Sequence, residues 1–93
     1  MGHFNSVEKK IQEGAVVVDV RTPDEYEDGH FPNAINIPVG ELIKRAAEIG
    51  PKDKAVLLYC ASGSRSAMGA KLLKTLGFVD VTNAGGIYDM PAF

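Results

Sequence analysis

The sequence has few of the residues from which disulfides, metal sites and nucleic-acid surfaces are built. Its single cysteine excludes an internal disulfide, and that cysteine and the two histidines are too far apart in sequence for a recognisable metal site. A formal net charge of −2 gives no basic footprint for nucleic acid. No apolar run approaches the roughly 18 residues of a membrane span. We therefore expect no metal, cofactor, nucleic acid or membrane as a partner.

What is present is ordinary for a globular protein: 93 residues, of which 45% are hydrophobic and 24% charged. This length predicts one domain covering residues 1–93. The free thiol favours a reducing compartment, so we expect a cytoplasmic protein. No signal peptide is visible, but an exported protein whose signal had been removed would look the same, so a periplasmic location stays open.

Helical and strand patterns alternate along the chain. Such alternation predicts an α/β fold with a mostly parallel sheet, in which reactive groups collect at the carboxyl ends of the strands. The predicted strands are 15–20, 34–37, 55–59 and 78–83, and the predicted helices are 5–14, 21–29, 41–49 and 67–76. In the last of these helices, Met68, Leu72, Leu73 and Leu76 form the predicted apolar face.

Cys60 lies where a predicted buried strand gives way to a loop of small polar residues and then to a helix. A lone cysteine at a strand end is more often a small core hydrophobe, but a core residue does not need such a loop. Curled backbone amides and a helix N-terminus favour the thiolate, and Arg65 adds a positive charge. Cys60 is therefore the candidate nucleophile, and the candidate substrate-binding loop is Ala61, Ser62, Gly63, Ser64, Arg65 and Ser66.

Three stretches together resemble the single-domain rhodanese-like sulfurtransferases. Residues 18–38 are similar to the family's Asp-x-Arg, Glu and Gly-His-Ile-Pro-Gly-Ala signature. Residues 60–66 match its active-site loop, Cys-x-x-Gly-x-Arg-Ser, and residues 84–87 are similar to its Gly-Gly motif near the C-terminus. The resemblance implies a three-layer domain with a central, mostly parallel sheet of four or five strands between helices.

The family also implies a reaction. The Cys60 thiolate would take the outer sulfur of a donor such as thiosulfate, and cyanide or a thiol would then remove that sulfur from the persulfide. A protein thiol is a further candidate acceptor. No cofactor or metal is called for.

Five residues of the flanking motifs are expected to have structural roles rather than to react. Asp19 and Arg21 follow one strand, and Asp19 is a candidate brace for the Cys60 loop. Glu25 is expected in an ion pair, with Arg21 as its candidate partner. Gly85 and Gly86 are expected to form a turn that lets the backbone approach the loop closely.

Two other functions remain as alternatives. Cysteine phosphatases carry Cys-x5-Arg, whereas four residues separate Cys60 from Arg65, and this smaller ring of amides suits a single sulfur atom better than a phosphoryl group. A sulfur-relay or binding module with slow turnover is the second alternative. Because Ala61 leaves Arg65 as the loop's only formal cation, we expect a high Michaelis constant for the thiosulfate dianion.

The ends of the chain depart from the family pattern. No tryptophan follows the Gly-Gly motif, and Tyr88, Met90 and Phe93 are the candidates to fill its place. The family's usual first strand is not recognisable in residues 1–5.

Overall fold

Helices and strands alternate along residues 6–93, the part of the chain that the computed structural model describes. The helices are α1 (Ser6–Gln12), α2 (Pro23–Glu27), α3 (Leu42–Arg45) and α4 (Ser64–Thr75), and the strands are β1 (Val16–Asp19), β2 (Ile35–Asn36), β3 (Val56–Cys60) and β4 (Val81–Gly86). Short 3₁₀ turns occupy Val39–Glu41, Ala46–Glu48 and Ile87–Asp89. The usual first strand of the family, sought in residues 1–5, falls outside the described residues.

The four strands form one parallel sheet in the order β2-β1-β3-β4. The α/β fold with a parallel sheet between helices is thus confirmed, at four strands within the described residues. β3 lies inside the sheet and is buried throughout, as expected of a strand covered on both faces. Its carboxyl end therefore opens between β1 and β4, where the side chains of three strands can meet.

Side chains of β3 alternate between two hydrophobic layers. Val56, Leu58 and Cys60 face the layer that contains Leu42 of α3 and Leu73 of α4. The other layer contains Leu57 and Tyr59, together with α1, α2 and the C-terminal segment, as represented by Val7, Ile11, Tyr26 and Met90. The thiol of Cys60 and the phenol of Tyr59 consequently point to opposite sides of the sheet.

The start of α2 agrees with its sequence signals. Thr22 is the N-cap and Pro23 the first helical residue. The Thr22 hydroxyl accepts a hydrogen bond from the Glu25 amide, and the Glu25 carboxylate accepts one from the Thr22 amide, which completes a capping box. The local sequence thus fixes the position of the Glu25 carboxylate.

Two predicted elements differ in the structure. The predicted helix 41–49 is broken because the Arg45 backbone leaves the helical region, with φ −110° and ψ 13°. The predicted strand 78–83 begins only at Val81, since the Phe78 amide still bonds the Leu73 carbonyl in the turn that closes α4. Because β4 then continues to Gly86, Gly85 and Gly86 lie in a strand rather than in a turn.

The apolar face predicted for the fourth helix is also partly wrong. α4 begins at Ser64 rather than at residue 67, so its N-terminal turn is formed by the Cys60 loop itself. Met68 is 59% exposed, and α4 packs on the sheet through Gly69, Ala70 and Leu73. None of the helices in residues 6–93 is long and apolar enough to cross a bilayer.

Candidate active site

Cys60 is the last residue of β3, and its sulfur is enclosed by the loop that follows. The Gly63 amide donates to Sγ at 2.9 Å and the Ser66 amide at 3.4 Å, while the Ser66 hydroxyl lies 3.4 Å away. Ser66 and Cys60 are both fully buried. These donors come from the start of α4, so the strand-to-helix connection builds the cradle that the sequence predicts.

This cradle changes the acidity of the thiol. Burial raises the pKa of Cys60, but hydrogen bonds from the Ser66 hydroxyl and from the amides of Ser66, Gly63 and Ser62 outweigh it and lower the pKa from 9.0 to about 7. A lowered pKa raises the share of Cys60 that is in the thiolate form at neutral pH. Cys60 is chemically suited to act as a nucleophile.

The end of β4 lies directly beneath the loop. A Cβ on Gly86 would collide with the Ala61 carbonyl oxygen, and one on Gly63 would meet the Gly85 Cα at 3.4 Å. Gly63 also has a φ of 106°, a conformation that favours glycine. The structure therefore brings Gly85 and Gly86 into close backbone contact with the loop, in a strand instead of the predicted turn.

Asn83 of β4 is a supporting residue that the sequence patterns did not single out. Its Oδ1 accepts hydrogen bonds from the Ser66 hydroxyl at 2.6 Å and from the Gly85 amide at 3.0 Å. Its Nδ2 donates to the Gly63 carbonyl at 3.3 Å. An amide side chain two residues before the Gly-Gly pair, near the carboxyl end of a strand, is the one sequence signal for it.

Glu25 pairs with Arg65 and not with Arg21, which corrects the predicted ion pair. Arg65 donates to both Glu25 oxygens, through Nη1 at 2.7 Å and Nη2 at 3.0 Å. The hydrogen bond from Arg65, followed by that from the Thr22 amide, lowers the pKa of Glu25 to about 2. The loop's one formal cation is thus held against a carboxylate that stays ionised throughout the neutral range.

Arg21 instead belongs to a buried cluster on the opposite face of the sheet. It donates to Asp19 from Nη2 at 2.7 Å and from Nε at 3.0 Å, and to the Gly29 carbonyl at 2.7 Å. The Tyr59 hydroxyl donates to Asp19 at 2.7 Å and accepts from the Phe31 amide at 2.9 Å. Asp19 contacts Arg21 and Tyr59, and none of its hydrogen bonds reaches the Cys60 loop.

The remaining loop residues and the C-terminal aromatic side chains face solvent. Ala61, Ser62 and Ser64 are exposed. Tyr88 is 96% exposed, whereas Met90 is buried and Phe93 stacks edge to face on Phe31. Of the three candidates for the missing tryptophan, Met90 alone fills a core position. Within residues 6–93, no cluster of His, Cys, Asp or Glu side chains could hold a metal ion.

Comparison with known proteins shows the family to which the chain belongs. The rhodanese-like domain model matches residues 4–89. The chain belongs to the rhodanese family. Thiosulfate sulfurtransferase PspE of Escherichia coli is 39% identical over 74 residues, which cover 78% of this chain and 71% of PspE. The putative sulfur carrier protein YrkF of Bacillus subtilis is 43% identical over 67 residues, or 72% of this chain but only 36% of that protein.

A solved structure extends the family likeness to three dimensions. The structure described as rhodanese with anions from Escherichia coli superposes with a TM-score of 0.79 at 37% identity, covering 84% of this chain and 95% of the other. The three-layer rhodanese-like fold is therefore confirmed. Relatives that are sulfurtransferases support sulfur transfer as the general activity of this rhodanese domain.

Proposed function

We propose that the protein is a sulfurtransferase that moves a sulfane sulfur from a donor such as thiosulfate to cyanide or a thiol through a persulfide on Cys60. One observation carries this proposal: the Cys60 sulfur lies at a strand end with the Gly63 and Ser66 amides directed at it. Those donors are fixed before the reaction, so they stabilise a sulfur anion with little rearrangement.

Both half-reactions balance without any added redox partner. The Cys60 thiolate attacks the outer sulfur of thiosulfate, a new S–S bond forms, and the old one breaks with its electron pair leaving on sulfite. Cyanide then attacks the outer sulfur of the persulfide and leaves as thiocyanate, which restores the thiolate; a thiolate acceptor would leave as a persulfide. A pKa of about 7 supplies the attacking thiolate at neutral pH and also makes Cys60 an adequate leaving group.

The size and charge of the cradle support transfer of a sulfur atom rather than of a phosphoryl group. Four residues separate Cys60 from Arg65, which gives a smaller ring of amides than the Cys-x5-Arg loop of cysteine phosphatases. The only formal cation of that ring, Arg65, is already paired with Glu25. A persulfide carries one negative charge and needs less positive charge around it than a phosphoryl group does.

Intact-mass spectrometry tests the proposal. Incubation with thiosulfate should add the mass of one sulfur atom to the wild-type protein, and cyanide or a reductant should remove it. The matched control is Cys60→Ser, which keeps the loop and its hydrogen bonds but lacks the nucleophile, and should gain nothing. No gain in the wild type, or an equal gain in the variant, contradicts the proposal. Hydrolysis of an aryl phosphate that Cys60→Ser abolishes would support the phosphatase alternative instead.

A sulfur-relay role for the same persulfide is the second candidate. The pairing of Arg65 with Glu25 favours it, because a neutralised loop attracts a small dianion weakly. One relative, 43% identical over 67 residues, is named a putative sulfur carrier protein. In a relay the acceptor would be a protein thiol rather than cyanide, and the free thiol supports a reducing compartment such as the cytoplasm. Faster unloading of the persulfide by a protein thiol than by cyanide would favour the relay.

A further inference from the structure

Both arginines of the two signature motifs are neutralised by carboxylates. Arg65 is bound through two hydrogen bonds to Glu25, and Arg21 through three contacts to Asp19. Arg21 is also buried, and its guanidinium is occupied by Asp19 and the Gly29 carbonyl, so it cannot replace Arg65. Neither motif arginine is thus left with an unpaired positive charge for an incoming anion.

The Glu25 carboxylate is held firmly in the ion pair. Its Oε1 accepts hydrogen bonds from the Thr22 amide at 3.0 Å and the Thr22 hydroxyl at 3.2 Å, in addition to the one from Arg65. The side chains of Arg65 and Glu25 are 35% and 34% exposed, so the pair is partly shielded from water. An anion that drew Arg65 away would leave a fixed carboxylate behind at the edge of the loop.

The surroundings of Glu25 add no compensating charge. A cleft of about 280 Å³ beside it is lined by Arg21, Glu25 and Asp28, together with Ile87, Tyr88 and Phe93. Since Asp19 already balances Arg21, the charged side chains that line this cleft carry no net positive charge. The cleft therefore supplies no unpaired positive charge that would offset the charge of Glu25.

We propose that Glu25 is a specificity-determining residue that holds Arg65 in a neutral pair and so selects against sulfur donors carrying two negative charges. The selection rests on the proposed sulfur transfer, and it favours donors with one charge or none. Coulomb energy scales with the charge of the donor, so Glu25 opposes a dianion about twice as strongly as a monoanion of the same shape.

Two sulfur donors of similar shape but different charge distinguish the effect of donor charge from that of steric fit to the site. Thiosulfate is a dianion, and methanethiosulfonate has a methyl group in place of one charged oxygen, which makes it a monoanion. The Cys60 thiolate attacks the outer sulfur of either donor, the donor S–S bond breaks, and the electron pair leaves on sulfite or on methanesulfinate. Both donors react with the same thiolate, so the ratio of their rate constants cancels any change in the pKa of Cys60.

The test compares Glu25→Gln with the wild type at low ionic strength. Glutamine can keep the capping box but removes the charge. We expect the ratio of sulfur-loading rate constants, thiosulfate over methanethiosulfonate, to rise about two- to fivefold. Glu27→Gln is the matched control, because it removes an equal charge from the exposed face of the same helix, and it should leave the ratio unchanged. An unchanged or lower ratio in Glu25→Gln overturns the inference.

A second measurement does not depend on sulfur transfer. The ratio of Cys60 alkylation rates with iodoacetate, which is charged, and iodoacetamide, which is neutral, reports the local potential at the thiolate. This ratio should rise by a similar factor in Glu25→Gln and stay constant in Glu27→Gln. If the wild type takes sulfur from neither donor, the proposed function fails and the alkylation ratio alone decides whether Glu25 repels anions. A constant alkylation ratio overturns the inference in either case.

Discussion

The Ser66 hydroxyl has one proton and four neighbours that can accept it. Asn83 Oδ1 is nearest at 2.6 Å, followed by the carbonyls of Gly63 at 3.1 Å and Gly85 at 3.3 Å, and then Cys60 Sγ at 3.4 Å. A proton directed at Asn83 is not available to the sulfur. The hydroxyl therefore gives the thiolate only part of its stabilisation, and the fixed backbone amides of the loop give the rest.

Substitution of Ser66 tests this division. In the wild type, the rate of Cys60 alkylation by iodoacetamide should rise with pH and level off above a midpoint near pH 7, since the pKa of Cys60 is about 7 and only the thiolate reacts. Ser66→Ala removes a donor to the charged form, so the pKa should rise and the midpoint should move upward by roughly half a pH unit to one unit.

The matched control is Ser64→Ala, which removes a hydroxyl from an exposed position of the same loop. Its alkylation profile should follow that of the wild type. A midpoint for Ser66→Ala that moves downward or stays at pH 7 would contradict any stabilisation of the thiolate by the hydroxyl. A rise of two units or more would show that the hydroxyl, rather than the amides, dominates.

At the scale of elements, the site depends on how closely β4 approaches the loop after β3. Gly86 has a φ of −91°, which any residue can adopt. Glycine is therefore required at this position because there is no room for a side chain, and not because of the backbone conformation. The space is taken by the Ala61 carbonyl and the Ser62 Cα. A side chain at this position must therefore push the loop away from the sheet.

Gly86→Ala should destabilise the protein by about 1–3 kcal/mol, because its Cβ collides with backbone atoms that cannot change rotamer. Urea unfolding measures this loss. Gly40→Ala is the control, since a Cβ there meets no atom within 4 Å, and its free energy of unfolding should stay within about 0.5 kcal/mol of the wild type. Equal stabilities for the two variants would refute the close contact.

The elements also show which features the sequence can predict. β1, β3 and the capped start of α2 were predictable, because β-branched runs and capping residues act locally. The start of β4 was not, because Phe78 has strand-forming character but its buried ring completes the turn after α4. The Arg65–Glu25 pair and the Asn83 contacts join residues 40 and 17 positions apart, and such pairings follow from the topology and not from local spacing.

At the scale of the whole molecule, one buried polar cluster joins the sheet to the segment after α2. Asp19 at the end of β1 accepts from Arg21 and from the Tyr59 hydroxyl on β3, and that hydroxyl accepts from the Phe31 amide. The Asp19 side chain is fully buried and that of Arg21 is 8% exposed. Each charge is therefore tolerated in the interior only while the other is present.

Asp19→Asn should lower the free energy of unfolding by about 3–5 kcal/mol, because it leaves Arg21 buried without its counter-charge. This is a large share of the roughly 5–15 kcal/mol expected for a whole domain. Tyr59→Phe should cost less, about 1–3 kcal/mol, by leaving the Phe31 amide without an acceptor. Asp53→Asn, at an exposed turn, is the control and should change little. Urea unfolding gives all three values.

Asp19→Asn also tests whether the buried cluster affects the acidity of Cys60 as well as the stability of the fold. Tyr59 and Cys60 are adjacent in β3 and point to opposite faces, so the loss of the Asp19 charge should not reach the thiol cradle through any hydrogen bond. The folded Asp19→Asn protein should therefore keep the wild-type midpoint of Cys60 alkylation near pH 7 while unfolding in less urea. A shifted midpoint together with unchanged stability would mean that Asp19 braces the Cys60 loop and that the buried cluster contributes little to the fold.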